Sequence, residues 1–177
     1  GHTRIKDLKP KEEDLNKEPE LIAAHKLWPM PSTYTVLGGV TLPIIDFCNF
    51  QFQFVSGGQI PQVAELTKVY KQLMFPHCSA EEYESSYFSS EDENHSSKVK
   101  ALQGNHNLLV VTINDTNTVL VSRETDETYV LEVNSLSLAL VAQNYVGLVR
   151  GLETFSQMIT PDGNGNPEIL STPVHIQ

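Results

Sequence analysis

Positive charge is scarce in this chain, and long apolar runs are absent. Its 177 residues carry 12 Lys and Arg against 22 Asp and Glu, a formal net charge of −10. Phosphate contacts need clustered Lys and Arg, so this balance excludes nucleic acid as an expected partner. No stretch approaches the roughly 18 consecutive apolar residues of a membrane helix, so no membrane span is expected either.

The spacings that hold metal ions are also missing. His77 lies beside Cys78 but lacks the further Cys or His that would close a zinc site. Residues 162–166 begin like a calcium loop, but the next position is Pro167 where the loop requires glycine. The pattern predicts a turn at 162–166 and an ordinary polar residue at His77. We expect neither a metal nor another cofactor.

Catalytic nucleophiles and carboxylate pairs are equally hard to find. Ser56 is not set in the Gly-x-Ser-x-Gly pattern of a nucleophile elbow. Glu124, Asp126 and Glu127 are close in sequence, and glycosidases need two carboxylates. Their neighbours Arg123, Thr125 and Thr128 favour a solvated turn instead, because charges in such a setting are ordinarily exposed. The segment alone is therefore predicted to be inactive.

Cysteine occurs only twice, at Cys48 and Cys78. A disulfide between them would stabilise the fold by about 3.5 kcal/mol through the chain entropy of the unfolded state. Two buried free thiols are the alternative. The sequons that begin at Asn94 and Asn114 are candidate N-glycosylation sites. Together these features favour the secretory pathway, with a lysosomal or extracellular destination.

Changes in composition along the chain divide it into a leader and one domain. Residues 1–24 lack an apolar face and are expected to be a flexible leader, followed by a single domain over 25–177. Within that domain, residues 79–97 are rich in Ser and Glu and are expected to form an acidic loop. A chain that begins at Gly1 is expected to be a cut domain or a processed product.

Alternation of apolar and polar residues predicts several strands. Phe50, Phe52 and Phe54 alternate with two glutamines, so all three rings should share one buried face. The sequence also predicts a turn at Gly38 and Gly39 between two strands, and a hairpin across Asn134 and Ser135. The remaining predicted strands cover residues 34–37, 40–45, 108–113, 119–121, 128–133, 138–142, 168–170 and 174–176.

Apolar residues at helical spacing predict two helices, over residues 62–75 and 143–159. Their stripes consist of Val63, Leu66, Tyr70, Leu73 and Met74 in the first helix, and of Leu148, Leu152, Phe155 and Ile159 in the second. The predicted fold class is α+β: a single layer of antiparallel or mixed β-sheet with two α-helices packed on one face.

Four motifs, in this order, resemble the amino-terminal domain of β-N-acetylhexosaminidases, which are glycoside hydrolases of family 20. They are Leu-Trp-Pro-Met-Pro at 27–31, Asn-Phe-Gln-Phe-Gln-Phe at 49–54, Glu-Thr-Tyr-Val-Leu-Glu-Val at 127–133 and Arg-Gly-Leu-Glu-Thr-Phe-Ser-Gln at 150–157. The residues that match the family motifs, all with expected structural roles, are Trp28, Pro29, Pro31, Arg150, Gly151, Leu152, Glu153 and Phe155. We expect Arg150 to anchor its helix by pairing with a carbonyl or a carboxylate.

The resemblance implies a non-catalytic domain of a larger enzyme. Such enzymes remove terminal β-linked N-acetylglucosamine or N-acetylgalactosamine by substrate-assisted retention. Their catalytic groups lie in a (β/α)8 barrel, which has no counterpart in these 177 residues. The implied partners are that barrel, as part of the same protein, and a second hexosaminidase subunit. An exposed apolar patch around Trp28, Pro29 and the carboxy-terminal strand would mark the docking surface.

A stand-alone glycan- or protein-binding module is the alternative function. Such a module would need an exposed aromatic platform, and most aromatic residues of this chain fall on predicted core faces. Tyr83, Tyr87 and Phe88, in the expected acidic loop, are the exceptions.

Overall fold

The protein is built on one mixed β-sheet. The structure, a computed structural model, describes residues 34–90 and 96–176. Its strands are β1 (Tyr34–Pro43), β2 (Gln51–Phe54), β3 (Tyr87–Ser89), β4 (Leu108–Ile113), β5 (Tyr129–Val133), β6 (Leu138–Ala142), β7 (Ile159–Pro161) and β8 (Pro167–Ile176). They lie side by side in the order β1-β8-β5-β6-β4-β2-β3, and β7 pairs with part of β8.

The sheet has an antiparallel half and a parallel half. Strands β1, β8, β5 and β6 are antiparallel neighbours, whereas β6, β4, β2 and β3 are parallel neighbours. The first and last strands pair with each other, so Tyr34 lies opposite Ile176. The predicted class, α+β with a single mixed sheet, is confirmed.

Four helices accompany the sheet in the described residues: α1 (Val63–Met74), α2 (Ala80–Glu84), α3 (Ser96–Gly104) and α4 (Tyr145–Gln157). Helices α1 and α4 bury their apolar residues in one core with the sheet, which confirms the two predicted helices on one face. Helix α3, which the sequence did not predict, covers the opposite face. There Leu102 packs with Phe88 and Leu108 in a second, smaller cluster. No helix in the described part of the chain is long and apolar enough to cross a bilayer.

The three alternating phenylalanines form the centre of the main core, as predicted. Phe50, Phe52 and Phe54 are all fully buried. The Phe50 ring lies 5.4 Å from the Phe75 ring and 6.0 Å from the Phe155 ring, centroid to centroid. Phe50, directly before β2, thereby contacts the end of α1 and the last turn of α4, so the rings connect the sheet with both helices.

The first strand corrects one prediction. Residues 34–43 form one strand rather than two strands with a turn at Gly38 and Gly39. The pairing with β8 shifts between Val36 and Val40, so the extra residues bulge out of the ladder. Glycine in a strand accommodates a bulge as readily as a turn, and the sequence alone does not separate the two. The predicted short strands at 168–170 and 174–176 likewise merge into β8.

Helix α1 differs from its predicted stripe at two positions. Leu73 is 63% exposed, although it was assigned to the apolar face. Lys71, assigned to the solvent side, is fully buried, and its ammonium group donates to the Glu82 carbonyl at 2.5 Å. Helix α2 contacts this side of α1. It therefore covers Lys71, which the helical pattern alone places toward solvent.

The predicted acidic loop over 79–97 is wrong for most of the part that the structure describes. Ser79 and Glu82 form a capping box that starts α2, and β3 follows as an edge strand beside β2. Tyr83 and Phe88 are both buried, and Phe88 packs in the smaller cluster. These apolar contacts outweigh the disorder that the polar composition suggests.

Three further predictions are settled by the described residues. The β5–β6 hairpin is confirmed, with Asn134 accepting hydrogen bonds from the backbone N–H groups of Leu136 and Ser137. Residues 119–121 are not a strand; they lack a pairing partner, and Leu120 is 80% exposed. Ile159 lies in β7, just beyond α4. Other predictions lie outside the described residues: the leader at 1–24, the sequon at Asn94, and the motif residues Trp28, Pro29 and Pro31.

Candidate functional site

Helix α4, which carries the most specific motif, packs closely on strand β6. Gly151 faces Leu140, and a Cβ at this position would lie 2.5 Å from a Leu140 methyl carbon. Leu152 and Phe155 are buried beside it in the main core. The short distance between helix and sheet therefore favours glycine, since a side chain here would displace either the buried Leu140 side chain or α4 itself.

The arginine of the motif forms an ion pair within the domain. Arg150 Nε donates to Glu127 Oε2 at 2.7 Å, which links α4 to the residues that precede β5. The two side chains are 46% and 34% exposed, so the pair contributes at most about 1 kcal/mol. This contact is the structural anchor that the sequence predicted for Arg150.

The motif's Glu153 and Thr154 also have partners inside the fold. Tyr70 of α1 donates its hydroxyl hydrogen to Glu153 Oε2 at 2.8 Å, and the Tyr129 hydroxyl lies 2.6 Å from Thr154 Oγ1. Burial, followed by the hydrogen bond to Glu153, raises the pKa of Tyr70. Sequence reasoning missed both pairs. Their signal was that a buried tyrosine needs a hydrogen-bond partner for its hydroxyl group.

The candidate catalytic carboxylates are exposed to solvent or paired within the domain. Asp126 is exposed and accepts the Thr128 backbone N–H at 3.0 Å, and hydrogen bonds from Thr128 lower the pKa of the Asp126 carboxyl. Glu124 is exposed, and Glu127 is paired with Arg150. The prediction of a solvated turn is confirmed, and these carboxylates do not form the facing pair of a glycosidase.

The possible metal sites have ordinary structural explanations. His77 is exposed beyond the end of α1. Asp162 accepts backbone N–H groups from Asn164 and Asn166 at 2.8 and 2.9 Å, as in a hydrogen-bonded turn. Within the described ranges, one group of potential ligands lies close enough to share an ion: Cys48, Cys78 and Glu82. Its two sulfur atoms are bonded to each other, so neither is the thiolate that a metal requires.

The disulfide joins the two ends of the segment that contains β2 and α1. Cys48 lies in a short 3-10 turn (Phe47–Asn49), and Cys78 directly precedes the capping residue of α2. Their Cα atoms are 5.5 Å apart, within the ordinary range for a disulfide. The bond closes a loop with a sequence separation of 30 residues.

The sequon asparagine in the described residues is accessible. Asn114 is exposed at the end of β4, and its side-chain nitrogen makes only a long contact, 3.4 Å, with Gln143 Oε1. This exposure is compatible with a glycan, and the modification of Asn114 stays a prediction.

The chain matches one family profile, and its fold matches those of several solved structures. The profile of a family described as beta-acetyl hexosaminidase like matches residues 27–158. No curated protein sequence matches the chain significantly.

Three solved enzymes contain a domain with the same fold. A chitobiase from Flavobacterium johnsoniae matches with a TM-score of 0.60 and 17% identity over 85% of this chain. An inactive variant of an exo-β-N-acetylglucosaminidase from Vibrio harveyi matches with a TM-score of 0.51 and 15% identity over 86%. The N-acetyl-β-hexosaminidase of Streptomyces plicatus matches with a TM-score of 0.50 and 13% identity over 86%. The matched region covers 20%, 19% and 26% of these proteins, respectively.

Proposed function

Because this chain belongs to the β-acetyl-hexosaminidase-like family, we propose that it is the non-catalytic amino-terminal domain of a β-N-acetylhexosaminidase. The observation that carries this proposal is the internal use of the most specific motif. Arg150 pairs with Glu127, Glu153 accepts from Tyr70 and Thr154 contacts Tyr129. The polar groups of this motif are thus occupied in holding α4 to α1 and to the sheet.

The chemistry then belongs to a separate (β/α)8 barrel of the same protein. There the substrate's acetamide oxygen would attack the anomeric carbon as the glycosidic bond breaks, and a glutamic acid would protonate the departing oxygen. A water molecule would then displace the acetamide oxygen from the anomeric carbon, which would release N-acetylglucosamine or N-acetylgalactosamine and leave the shortened glycan. This domain would contribute a folded support beside the barrel rather than a reacting group.

The expected cellular setting follows from the disulfide. Disulfides persist in oxidising compartments and are rare in the cytosol. The Cys48–Cys78 bond therefore supports a protein of the secretory pathway, with a lysosomal or extracellular destination. A second hexosaminidase subunit is a further partner in this proposal.

An activity comparison tests the proposal. The 177-residue chain and a longer protein that joins it to the family's barrel would be assayed with a chromogenic N-acetylglucosaminide. Circular dichroism would verify that the short chain is folded. We expect turnover from the longer protein and none from the folded 177-residue chain. Turnover by the short chain would overturn the assignment.

The alternative of an independent binding module has lost most of its support. Of the three aromatic residues that suggested a platform, Tyr83 and Phe88 are buried. Tyr87 alone keeps a partly accessible ring. Any binding surface therefore has to be sought around Tyr87 rather than on an extended aromatic face.

A further inference from the structure

Beside Tyr87 lies an open crevice at the carboxyl ends of β2 and β3. We call it the β2–β3 crevice; it is lined by Val55, Ser56, Gly58, Gln59, Tyr87 and Ser89, with Phe88 between the last two. Its volume is about 570 Å³. Small-molecule sites commonly measure roughly 300–1,000 Å³, and in sheets with parallel strands they lie at this end of the strands.

The walls of the crevice are held in place by the fold. Ser56 Oγ donates to the Ile113 carbonyl at 2.7 Å and accepts the Ile113 N–H at 2.9 Å. Gly57, which has a φ of 88°, packs so closely on Ile113 that a Cβ would lie 2.5 Å from its side chain. The Tyr87 ring meets the Phe54 ring edge to face at 5.8 Å. A ligand would therefore find a preformed surface, which lowers the entropic cost of binding.

Three polar side chains on this surface have no hydrogen-bond partner among residues 34–90 and 96–176. The side chains of Gln59, Tyr87 and Ser89 form no hydrogen bond with another described residue, whereas Ser56 is occupied by Ile113. An amide and two hydroxyl groups can both donate and accept hydrogen bonds. The crevice thus offers three adaptable polar groups next to one partly accessible aromatic ring.

The charge of the lining narrows the class of ligand. None of the lining side chains is ionisable to a charged form near neutral pH, although the chain as a whole carries a net charge of −10. A charged ligand would find no counter-ion among these lining residues, and a purely apolar ligand would leave the amide and hydroxyl groups unsatisfied. A neutral ligand rich in hydroxyl groups, with an apolar face of C–H bonds to cover the tyrosine ring, fits both conditions.

We propose that the β2–β3 crevice binds a neutral saccharide. One face of a pyranose ring would pack on Tyr87, and its hydroxyl groups would exchange hydrogen bonds with Gln59 and Ser89. The lining residues include no carboxylate, and hydrolysis of a glycosidic bond needs carboxylates, so the crevice would hold a glycan rather than cleave it. This inference does not rest on the proposed function, because the crevice is formed entirely within this chain.

A binding titration with two neutral disaccharides tests the proposal. Diacetylchitobiose and maltose would be added to the 177-residue chain, and binding followed by calorimetry and by amide chemical shifts in nuclear magnetic resonance. We expect saturable binding of at least one of them with a Kd on the order of 1 mM, which is typical of a few hydrogen bonds and one ring contact. The shifted amides should belong to residues 55–59 and 87–89.

Variants assign the binding to the crevice. Gln59→Ala should weaken binding about three- to tenfold, the effect of one lost hydrogen bond. Gln72→Ala, which removes another exposed glutamine on the surface of α1, is the matched control and should bind like the unaltered chain. Ser89→Ala removes the other proposed hydrogen-bonding group and should weaken binding to a similar extent. Tyr87→Phe keeps the ring that would pack on the sugar, so it should bind nearly as well as the unaltered chain.

Two results would overturn the proposal. One is that neither disaccharide shows saturable binding at concentrations up to about 50 mM, far above the expected Kd. The other is saturable binding that Gln59→Ala and Ser89→Ala leave unchanged. Neither result bears on the activity comparison above, because that comparison measures hydrolysis and this one measures affinity.

Discussion

At the scale of a single residue, the close contact between α4 and β6 explains why the motif has glycine at position 151. Its hydrogen atom faces Leu140 across the gap between helix and sheet, and the space holds nothing larger. The glycine lowers the intrinsic stability of the helix, because its backbone is freer in the unfolded chain than that of any other residue. Close packing of Leu152 and Phe155 in the core offsets that loss.

The first prediction concerns this position. Gly151→Ala should destabilise the domain by about 1–3 kcal/mol, because the added methyl group forces α4 away from β6. Urea unfolding followed by circular dichroism measures the change. Gly163→Ala is the matched control: a Cβ at Gly163 meets nothing within 4 Å, so its free energy of unfolding should stay nearly the same. Equal stability of the two variants would contradict the close-packing explanation.

At the scale of elements, α1 and α4 are joined by a partly buried hydrogen bond as well as by apolar contact. Tyr70 of α1 donates to Glu153 of α4 in the space between the helices. Because burial and the neighbouring carboxylate disfavour the tyrosinate, the folded state raises the pKa of Tyr70. The stability that this shift contributes is fully present below about pH 10, the ordinary pKa of tyrosine, and is lost as the pH rises above it.

The second prediction follows from this linkage. Tyr70→Phe should lower stability at pH 7 by about 1–2 kcal/mol, since Glu153 loses a donor. It should also reduce the loss of stability that the unaltered protein shows above pH 10. Tyr145→Phe is the control, because burial also raises the pKa of Tyr145, but its hydroxyl group forms no hydrogen bond with another residue in the described part of the chain. Chemical unfolding at several pH values separates the two variants; the same stability at pH 7 for both would contradict the role of the Tyr70–Glu153 bond.

Elements with a strong periodic pattern were predictable from the sequence, and those that depend on neighbours were not. The alternation of Phe50, Phe52 and Phe54 specifies β2, and the spacing of Leu148, Leu152 and Phe155 specifies α4. Helix α2 has only five residues. Its polar composition indicated a loop, so the Ser79–Glu82 capping box was not recognised as the start of a helix. Periodicity cannot reveal such a short element, because its stability comes from burial of Tyr83 rather than from a repeating face.

The same distinction applies to the candidate site. The sequence identified Arg150 as an anchor and the acids near residue 126 as a turn, because their local contexts were informative. It assigned Lys71 to the solvent side, since the helical pattern does not show that α2 covers that face. The β2–β3 crevice could not be predicted either. It combines residues 55–59 with residues 87–89, which come together only through the parallel pairing of β2 and β3.

At the scale of the whole molecule, the disulfide restrains the segment that supplies much of the main core. The loop it closes includes β2 and α1, so reduction would free both elements in the unfolded state. The entropy of a loop of this length corresponds to about 3.5 kcal/mol. That amount is a substantial fraction of the 5–15 kcal/mol typical of a folded domain.

The third prediction is that the paired substitution Cys48→Ser and Cys78→Ser lowers the free energy of unfolding by about 3–4 kcal/mol. The unaltered protein measured with a reducing agent should show a similar loss, and the reducing agent should have no effect on the double variant. Thermal and urea unfolding in both conditions make the comparison. If reduction left the unaltered protein as stable as before, the bond would not restrain the fold in this way.

The pairing of the first and last strands has a mechanical consequence. Tyr34 and Ile176 are directly opposite each other in antiparallel strands. A pulling force applied at these two residues would act in the unzipping geometry. It would break the hydrogen bonds between β1 and β8 one pair after another instead of all at once. The domain should therefore yield to low force when pulled along its own chain, starting at the β1–β8 edge. The rest of the sheet, closed by the Cys48–Cys78 bond around β2 and α1, should give way later.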